Sequence, residues 1–497
     1  MTNLLAPTLC QHARAAPAAR ALIVGEVVLS YGELADRVLR IAGWLRARGL
    51  APGGLVAIDA VNGVEMVEVL LAAVAAGGVA FPVDRTATAT ELEAALAGEP
   101  VAAVSVADDE PPPWAAVVDA PMRLGPGDLD GARRAPRAAD LVERAPLDPA
   151  MILLTSGTTS APKAAVLSHR ELRGNGRRTA HTFGLSAKDV GAVIHPLSNI
   201  LNLSSLLAQL EVGAAVVLTR GLTSPPHLLD ALARHGVTGF SCVPSAVELL
   251  ARGGLPGRTP PALRYVRVGG PFSAAQLERT STLLPGVALF RSYGMTESGL
   301  VSMLLPSDPP AARDSVGRPY PEAHTRILDE SGGRCGPRVE GAITVDGCHP
   351  MLGYLRDPEA TARVLRPDGI HTGDRGFIDE VGYLHFKGRS KELIKVSGES
   401  VWAHEIEAAL RLHPAVDDVA VIGAPNNRLG EAPWAFVVVA PAATLASAEI
   451  LRHARYHLPP RKVPVGVVFL TELPRTRTSK VRTGELQAAL PPDHERC

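Results

Sequence analysis

Lysine is scarce in this chain. Lysine and arginine together number 50, yet lysine occurs only at Lys163, Lys188, Lys387, Lys391, Lys395, Lys462 and Lys480. A compact ammonium does work that a forked guanidinium cannot, so the positions that keep it mark themselves out. Cysteine is sparse too. Cys10, Cys242, Cys335, Cys348 and Cys497 are scattered, with no C-x-x-C pair. That pattern argues against a zinc site or a disulfide framework and for a reducing cytoplasm. Charge of one sign is lacking, the formal net charge being −1. There is no electrostatic case for nucleic acid or an anionic membrane as a partner.

Long apolar runs are missing as well. The longest, residues 64–83, is interrupted by Glu65, Glu68 and the pair Gly77-Gly78. It reads as a core helix leading into a strand, not as a membrane span. Arg14 and Arg20 break up the N-terminus, so no signal-peptide core is expected. No heptads and no internal repeat are visible. What is present is a chain of 497 residues with ordinary globular composition, 46% hydrophobic and 20% charged. That is too long for one simple core, and two or more domains are expected.

Helical and strand signals alternate along the first part. Ser30-Tyr31-Gly32-Glu33 matches a capping box. Leu34, Val38, Ile41 and Leu45 follow at helical spacing, and Gly49 closes the helix. Residues 55–60 predict a strand, with a further helix from Val64. The alternation fits a sheet covered by helices, an α/β fold. Residues 84–149 are rich in Ala, Pro, Asp and Arg, and predict a surface excursion with a strand or two.

The strongest chemical signal is Thr155-Ser156-Gly157-Thr158-Thr159-Ser160-Ala161-Pro162-Lys163, set between the apolar stretches 151–154 and 164–167. A hydroxyl-rich loop between two strands can wrap a polyphosphate. Its hydroxyls and N–H groups donate to phosphate oxygens, and Lys163 adds positive charge. The Walker pattern G-x-x-x-x-G-K-[ST] does not fit. In isolation a polar surface loop is the alternative.

Further signals follow in order. Residues 190–194 read as a strand ending in His195-Pro196-Leu197-Ser198-Asn199, where His195 before a proline reads as structural. Residues 214–218, 239–243 and 265–269 predict strands, the last ending in Gly269-Gly270-Pro271. Tyr293-Gly294-Met295-Thr296-Glu297 offers a ring face, a hydroxyl and a hard carboxylate within five positions. His371-Thr372-Gly373-Asp374 predicts a turn that puts one carboxylate at a strand end. Arg389-Ser390-Lys391 and a tail carrying Arg475, Lys480 and Arg482 complete the series.

In this order the motifs resemble those of the adenylate-forming superfamily: acyl-CoA synthetases, peptide-synthetase adenylation domains and luciferases. The resemblance covers roughly residues 30–486. It implies a large multi-subdomain N-terminal α/β domain, residues 1–389, and a small mobile α+β C-terminal domain, residues 390–497, with its hinge at Lys391. It implies ATP and Mg²⁺ as cofactors, with Thr155, Ser156, Gly157, Thr158, Thr159 and Lys163 around the phosphates. Gly269, Gly270, Pro271, Tyr293, Gly294 and Met295 would border adenine and the acyl group. Thr296 would reach the α-phosphate, Glu297 would hold the metal, and Asp374 and Arg389 would hold the ribose. Lys480 aligns with the family's catalytic lysine. Asn199, Leu201, Ser205, Gly294 and Met295 are the acid-pocket candidates. No aspartate stands between His195 and Glu211, which argues against an α-amino acid.

The chain departs from the family pattern at Ser160, Ala164, Asn199, Ala342, Ala403 and Ser479. The implied activity is ATP-dependent adenylation of an aryl or acyl acid with release of pyrophosphate, then transfer to a coenzyme A or carrier-protein phosphopantetheine thiol. An amine acceptor, nitrite activation as in secondary-metabolism diazotases, and a degenerate nucleotide-binding protein stay open at this point.

Overall fold

The structure is a computed structural model. It describes residues 3–155, 162–221, 224–254, 257–270, 272–347, 350–397, 399–441, 443–475 and 481–492. Two large sheets carry the N-terminal part. One has seven strands in the order Gly353–Tyr354, Lys163–Ser168, Pro149–Thr155, Val79–Val83, Leu55–Asp59, Val101–Ser105 and Met122–Leu124. The other has nine, running from Arg318–Pro319 through Gly299–Leu304, Ala288–Met295, Tyr265–Gly269, Gly239–Cys242, Val190–Val193, Ala215–Leu218 and Arg20–Val24 to Val27–Ser30. Most neighbours in both are parallel, which requires crossover helices and buries both faces of the central strands.

The helix Tyr31–Ala47, which leads from one sheet to the other, and the crossover helices Val64–Ala75 and Ile200–Val212 contribute to one apolar cluster that reaches both sheets, from Leu22 and Val216 to Val56 and Ala80. The first begins where the sequence places it. Ser30 Oγ accepts the Glu33 N–H at 3.2 Å, and Glu33 Oε2 accepts the Ser30 N–H at 2.8 Å. Leu34, Val38, Ile41 and Leu45 form its buried stripe, an arrangement that satisfies both the helix end and the core.

A third, five-stranded antiparallel sheet contains Thr325–Leu328, Gly341–Val345, Gly369–Ile378, Leu365–Arg366 and Leu384–Arg389. A fourth, residues 393–470, is covered by the helices Ala403–Leu410 and Ser447–His457. It encloses its own apolar core of Ile394, Val396, Ile406, Leu410, Val419, Val437 and Ile450. The chain is thus a large multi-sheet N-terminal α/β part followed by a small C-terminal one. The two meet closely at Gly388, where a Cβ would fall 2.6 Å from the Trp402 ring.

Two local expectations are corrected. Residues 84–149 are more than a surface excursion. They supply the helices Ala89–Leu96, Pro113–Val117 and Pro126–Arg133 as well as two strands of the first sheet, and Trp114 is fully buried. Asp374 does not sit on a turn at a strand end. It lies inside the strand Gly369–Ile378, whose pairing with Leu384–Arg389 slips between Arg375 and Gly376. That irregularity, with Gly373 at φ +77°, is what made the local sequence look like a turn. No helix among the described residues is long and apolar enough to cross a membrane. Cys10, Cys242 and Cys335 are free thiols.

Candidate active site

The strands Pro149–Thr155 and Lys163–Ser168 form an antiparallel hairpin in which Thr155 faces Lys163. Thr155 Oγ1 donates to the Lys163 carbonyl at 3.2 Å. Ser156, Gly157, Thr158, Thr159 and Ser160 of the connecting loop lie outside the described residues. Ala164 pairs with Leu154 and is buried in an apolar cluster. Its methyl replaces the family's glycine inside a strand, with no left-handed backbone to strain.

The short strand Gly353–Tyr354 pairs along the outer edge of Lys163–Ser168. Lys163 Nζ then lies 5.0 Å from the centre of the Tyr354 ring. Tyr354 Oη donates to Glu297 Oε1 at 2.6 Å. Glu297 is only 7% exposed, and its carbonyl accepts the Met351 N–H at 2.9 Å. One chain of contacts therefore joins Lys163 to Glu297, the metal-ligand candidate. The other carboxylate oxygen of Glu297 has no hydrogen-bond partner among the described residues. A single hard carboxylate oxygen left in this way suits Mg²⁺, which takes one or two carboxylates and completes its shell with phosphate and water. Thr296 directly precedes Glu297, at the exit of the strand Ala288–Met295.

Behind this corner lies Glu171, 1% exposed, on the helix His169–Thr182. Neither of its side-chain oxygens has a hydrogen-bond partner among the described residues. Burial, with the Glu297 charge adding to it, raises the Glu171 carboxyl well above the usual carboxylate range. On the same helix face, Asn175 Oδ1 accepts the Leu300 N–H at 3.4 Å. That bond ties the helix to the strand Gly299–Leu304, which follows Glu297.

The nucleoside candidates converge separately. Tyr293 Oη donates to Asp374 Oδ2 at 2.7 Å, and Arg389 Nε lies 3.3 Å from Asp374 Oδ1. The Tyr293 ring is tilted against Phe386 at 5.9 Å. Asp374 is 3% exposed, so these partners offset the cost of burying its charge.

The acid-pocket candidates gather at the helix Ile200–Val212. Asn199 is its N-cap, and its Oδ1 accepts the Leu201 N–H at 2.8 Å. The cap uses only the side-chain oxygen of Asn199. A Cβ on Gly269 would lie 3.0 Å from Leu201 Cδ1 and 3.5 Å from Ser292 Oγ, so that glycine makes room for the leucine. Ser205 Oγ donates to Ser241 Oγ at 2.8 Å. Gly294 has a structural reason of its own: a Cβ there would strike the Gly299 carbonyl at 2.3 Å. Met295 ends that strand opposite Gly299, and Gly270 adopts φ +108°. Pro271 and Lys480 lie outside the described residues. Lys391 sits in the single 3-10 turn Ser390–Glu392 between the third and fourth sheets. His195 is held through its carbonyl by Asn62 Nδ2 at 2.9 Å. Burial lowers its imidazole to about 4, so it is neutral near pH 7.

The sequence matches Tyr354 to a family block without giving it a role, and nothing in it singles out Glu171, Arg267 or Ser292. Tyr354 stands in a recognisable Gly-Tyr pair, but its partner is 57 positions away. Arg267 occupies a strand that reads as a plain apolar one.

A sequence model of the family described as AMP-binding enzyme matches residues 9–355, and one for the AMP-binding enzyme C-terminal domain matches residues 405–480. A feruloyl-CoA synthase from an Amycolatopsis species is 32% identical over 96% of this chain and 97% of its own. An indoleacetate–CoA ligase from Aromatoleum aromaticum is 32% identical over 96% of each chain. The ATP-bound crystal structure of MatB from Rhodopseudomonas palustris superposes with a TM-score of 0.88 at 30% identity, covering 97% of this chain and 99% of that one. The chain belongs to the AMP-binding enzyme family and is an AMP-forming ligase.

Proposed function

We propose that the enzyme joins a non-amino carboxylic acid to the thiol of coenzyme A by way of an acyl-adenylate. A carboxylate is anionic and lacks a leaving group. Its oxygen must therefore attack the α-phosphorus of ATP and expel pyrophosphate, and the barrier lies in charge gathering at phosphorus. Lys163 and Thr155 stand at the base of the phosphate loop and take the β- and γ-phosphates. Thr296 donates to the α-phosphate. Glu297, steadied by Tyr354, supplies the carboxylate for Mg²⁺, which when bound neutralises phosphate charge. Asp374 and Arg389 take the ribose, and the Tyr293 ring takes the base. Lys480 bridges the attacking carboxylate and the nucleotide and holds them in line.

The observation that carries this reading is the continuous contact from Lys163 through Tyr354 to Glu297, beside the separate Tyr293–Asp374–Arg389 group. One end is built for phosphates and a cation, the other for a nucleoside. The boundary between the two domains falls at Arg389–Ser390, with Lys391 as the hinge. A lysine that serves adenylation must vacate the site before a thiol enters, and rotation about a short linker accomplishes that. Relatives named for coenzyme A esters support that acceptor over an amine. The test is incubation with ATP, Mg²⁺, coenzyme A and a panel of acids, followed by mass spectrometry. Acyl-CoA and AMP in equal amounts are expected. AMP without a thioester, or an amide formed with an added amine, would overturn the acceptor.

A further inference from the structure

Arg267 lies in the strand Tyr265–Gly269 and is 5% exposed. Its Nε donates to Ser292 Oγ at 2.9 Å and its Nη1 to Ser204 Oγ at 3.4 Å. Both partners are neutral hydroxyls. Among the described residues no carboxylate pairs with this guanidinium; the groups that favour its charge are the phenols of Tyr320 and Tyr265. Burial lowers it to about 10, so it stays charged at neutral pH. Arg133 pairs with the buried Glu68 at 2.7 Å and Arg264 with the buried Asp189 at 2.7 Å, whereas the buried Arg291 donates to the Arg313 carbonyl at 3.1 Å and has the Asp314 charge in its favour. Arg267 is more deeply buried than any of these and meets no carboxylate among the described residues. An uncompensated interior cation is unfavourable unless an anion reaches it.

Its surroundings are those of the acid pocket. Ser204 follows Leu201 on the same helix, and Ser292 approaches the Leu201–Gly269 contact. Ser205 and Ser241 add a second hydroxyl pair alongside. Ser292 stands on the strand that leads to Thr296, roughly 13 Å further along at ~3.3 Å per residue. The positive charge is therefore set back from the phosphate end by more than the length of one carboxyl group.

We propose that Arg267 selects the substrate, and that the acid carries a second carboxylate which pairs with its guanidinium while the first is adenylated. This rests on the acid-ligase reading above. A planar fork with open donors suits a carboxylate, and a mono-acid would leave the cation unpaired in the complex.

The experiment measures pyrophosphate exchange with succinate, glutarate, adipate and terephthalate, each beside its mono-amide, for the parent enzyme, Arg267→Met and Ser204→Ala. The parent enzyme is expected to favour the best di-acid over its mono-amide by about 100-fold in kcat/KM. Arg267→Met is expected to lose about 100-fold on the di-acid while mono-amide turnover holds or rises, with ATP binding unchanged in a thermal-shift assay. Ser204→Ala is expected to lose less, about 5-fold, on the di-acid alone. A parent enzyme that prefers mono-amides, or a Met variant that loses both substrates equally while still binding ATP, would overturn the proposal. If Arg267→Met does not fold, the parent preference and Ser204→Ala decide. If only mono-acids exchange, the proposal fails and the ligase reading stands; if no acid of any class exchanges, both fail.

Discussion

Tyr354 donates its phenolic proton to Glu297, Oη to Oε1 at 2.6 Å, while its ring lies 5.0 Å from Lys163 Nζ. One side chain thus braces the phosphate-loop lysine and the metal-ligand candidate together. A hydrogen bond to a buried carboxylate contributes about 1.5–3 kcal/mol. Tyr354→Phe keeps the ring and removes only the donor. We predict a loss of that size in urea melts and a rise of about tenfold in the Mg²⁺ needed for half-maximal exchange. Parent-like values in both measurements would show that the bond positions nothing.

Asp374 accepts from Tyr293 and pairs with Arg389 in a nearly closed environment. Asp374→Asn preserves shape but removes the charge that would accept two ribose hydroxyls. ATP affinity, measured by calorimetry, is predicted to fall about 30-fold, the equivalent of about 2 kcal/mol. Affinity within twofold of the parent would remove Asp374 from the nucleoside site.

Lys391→Pro stiffens the one-turn segment Ser390–Glu392, because proline fixes φ. Pyrophosphate exchange is predicted to persist within about threefold, while thioester formation falls about 100-fold or more. Equal loss of both half-reactions would mean that the segment has no hinge role.

His169 is buried, and its Nδ1 accepts the Leu4 N–H at 3.2 Å. Burial lowers its imidazole to about 4 from a usual value near 6.5. Between those values the unfolded chain binds a proton that the folded chain does not, so His169 makes stability rise with pH through that window and fall on acidification. The slope is about 1.4 kcal/mol per pH unit at most. His169→Asn, which keeps an acceptor for Leu4, is predicted to flatten urea-melt stability between pH 4.5 and 6 by about that slope. An unchanged slope would show that His169 stays protonated when folded.

Legibility followed locality. The Ser30–Glu33 box and the Thr155–Lys163 hairpin are decided by neighbours in sequence, and both stand as read. Residues 84–149 hid three helices because short Ala- and Pro-rich segments carry almost no periodicity; two of them begin with proline. Asp374 was misplaced because Gly373 mimics a turn where the strand is merely irregular. Arg267 is one charge in a short stretch that otherwise reads as an ordinary strand. The strand is central and covered on both sides, so the charge is buried. Tyr354–Glu297 and Arg267–Ser204 are tertiary relationships that no local pattern encodes.

Acid adenylation is expected to run from this site with Lys480 as the bridging cation. Labelled pyrophosphate exchange into ATP tests it, for the parent enzyme and Lys480→Ala, together with thioester formation from a supplied acyl-adenylate. Acid-dependent exchange is expected in the parent enzyme, with a fall of about 100-fold or more in the variant and thioester formation retained in both. Parent-rate exchange by Lys480→Ala, or a parent enzyme silent with every acid, would contradict it.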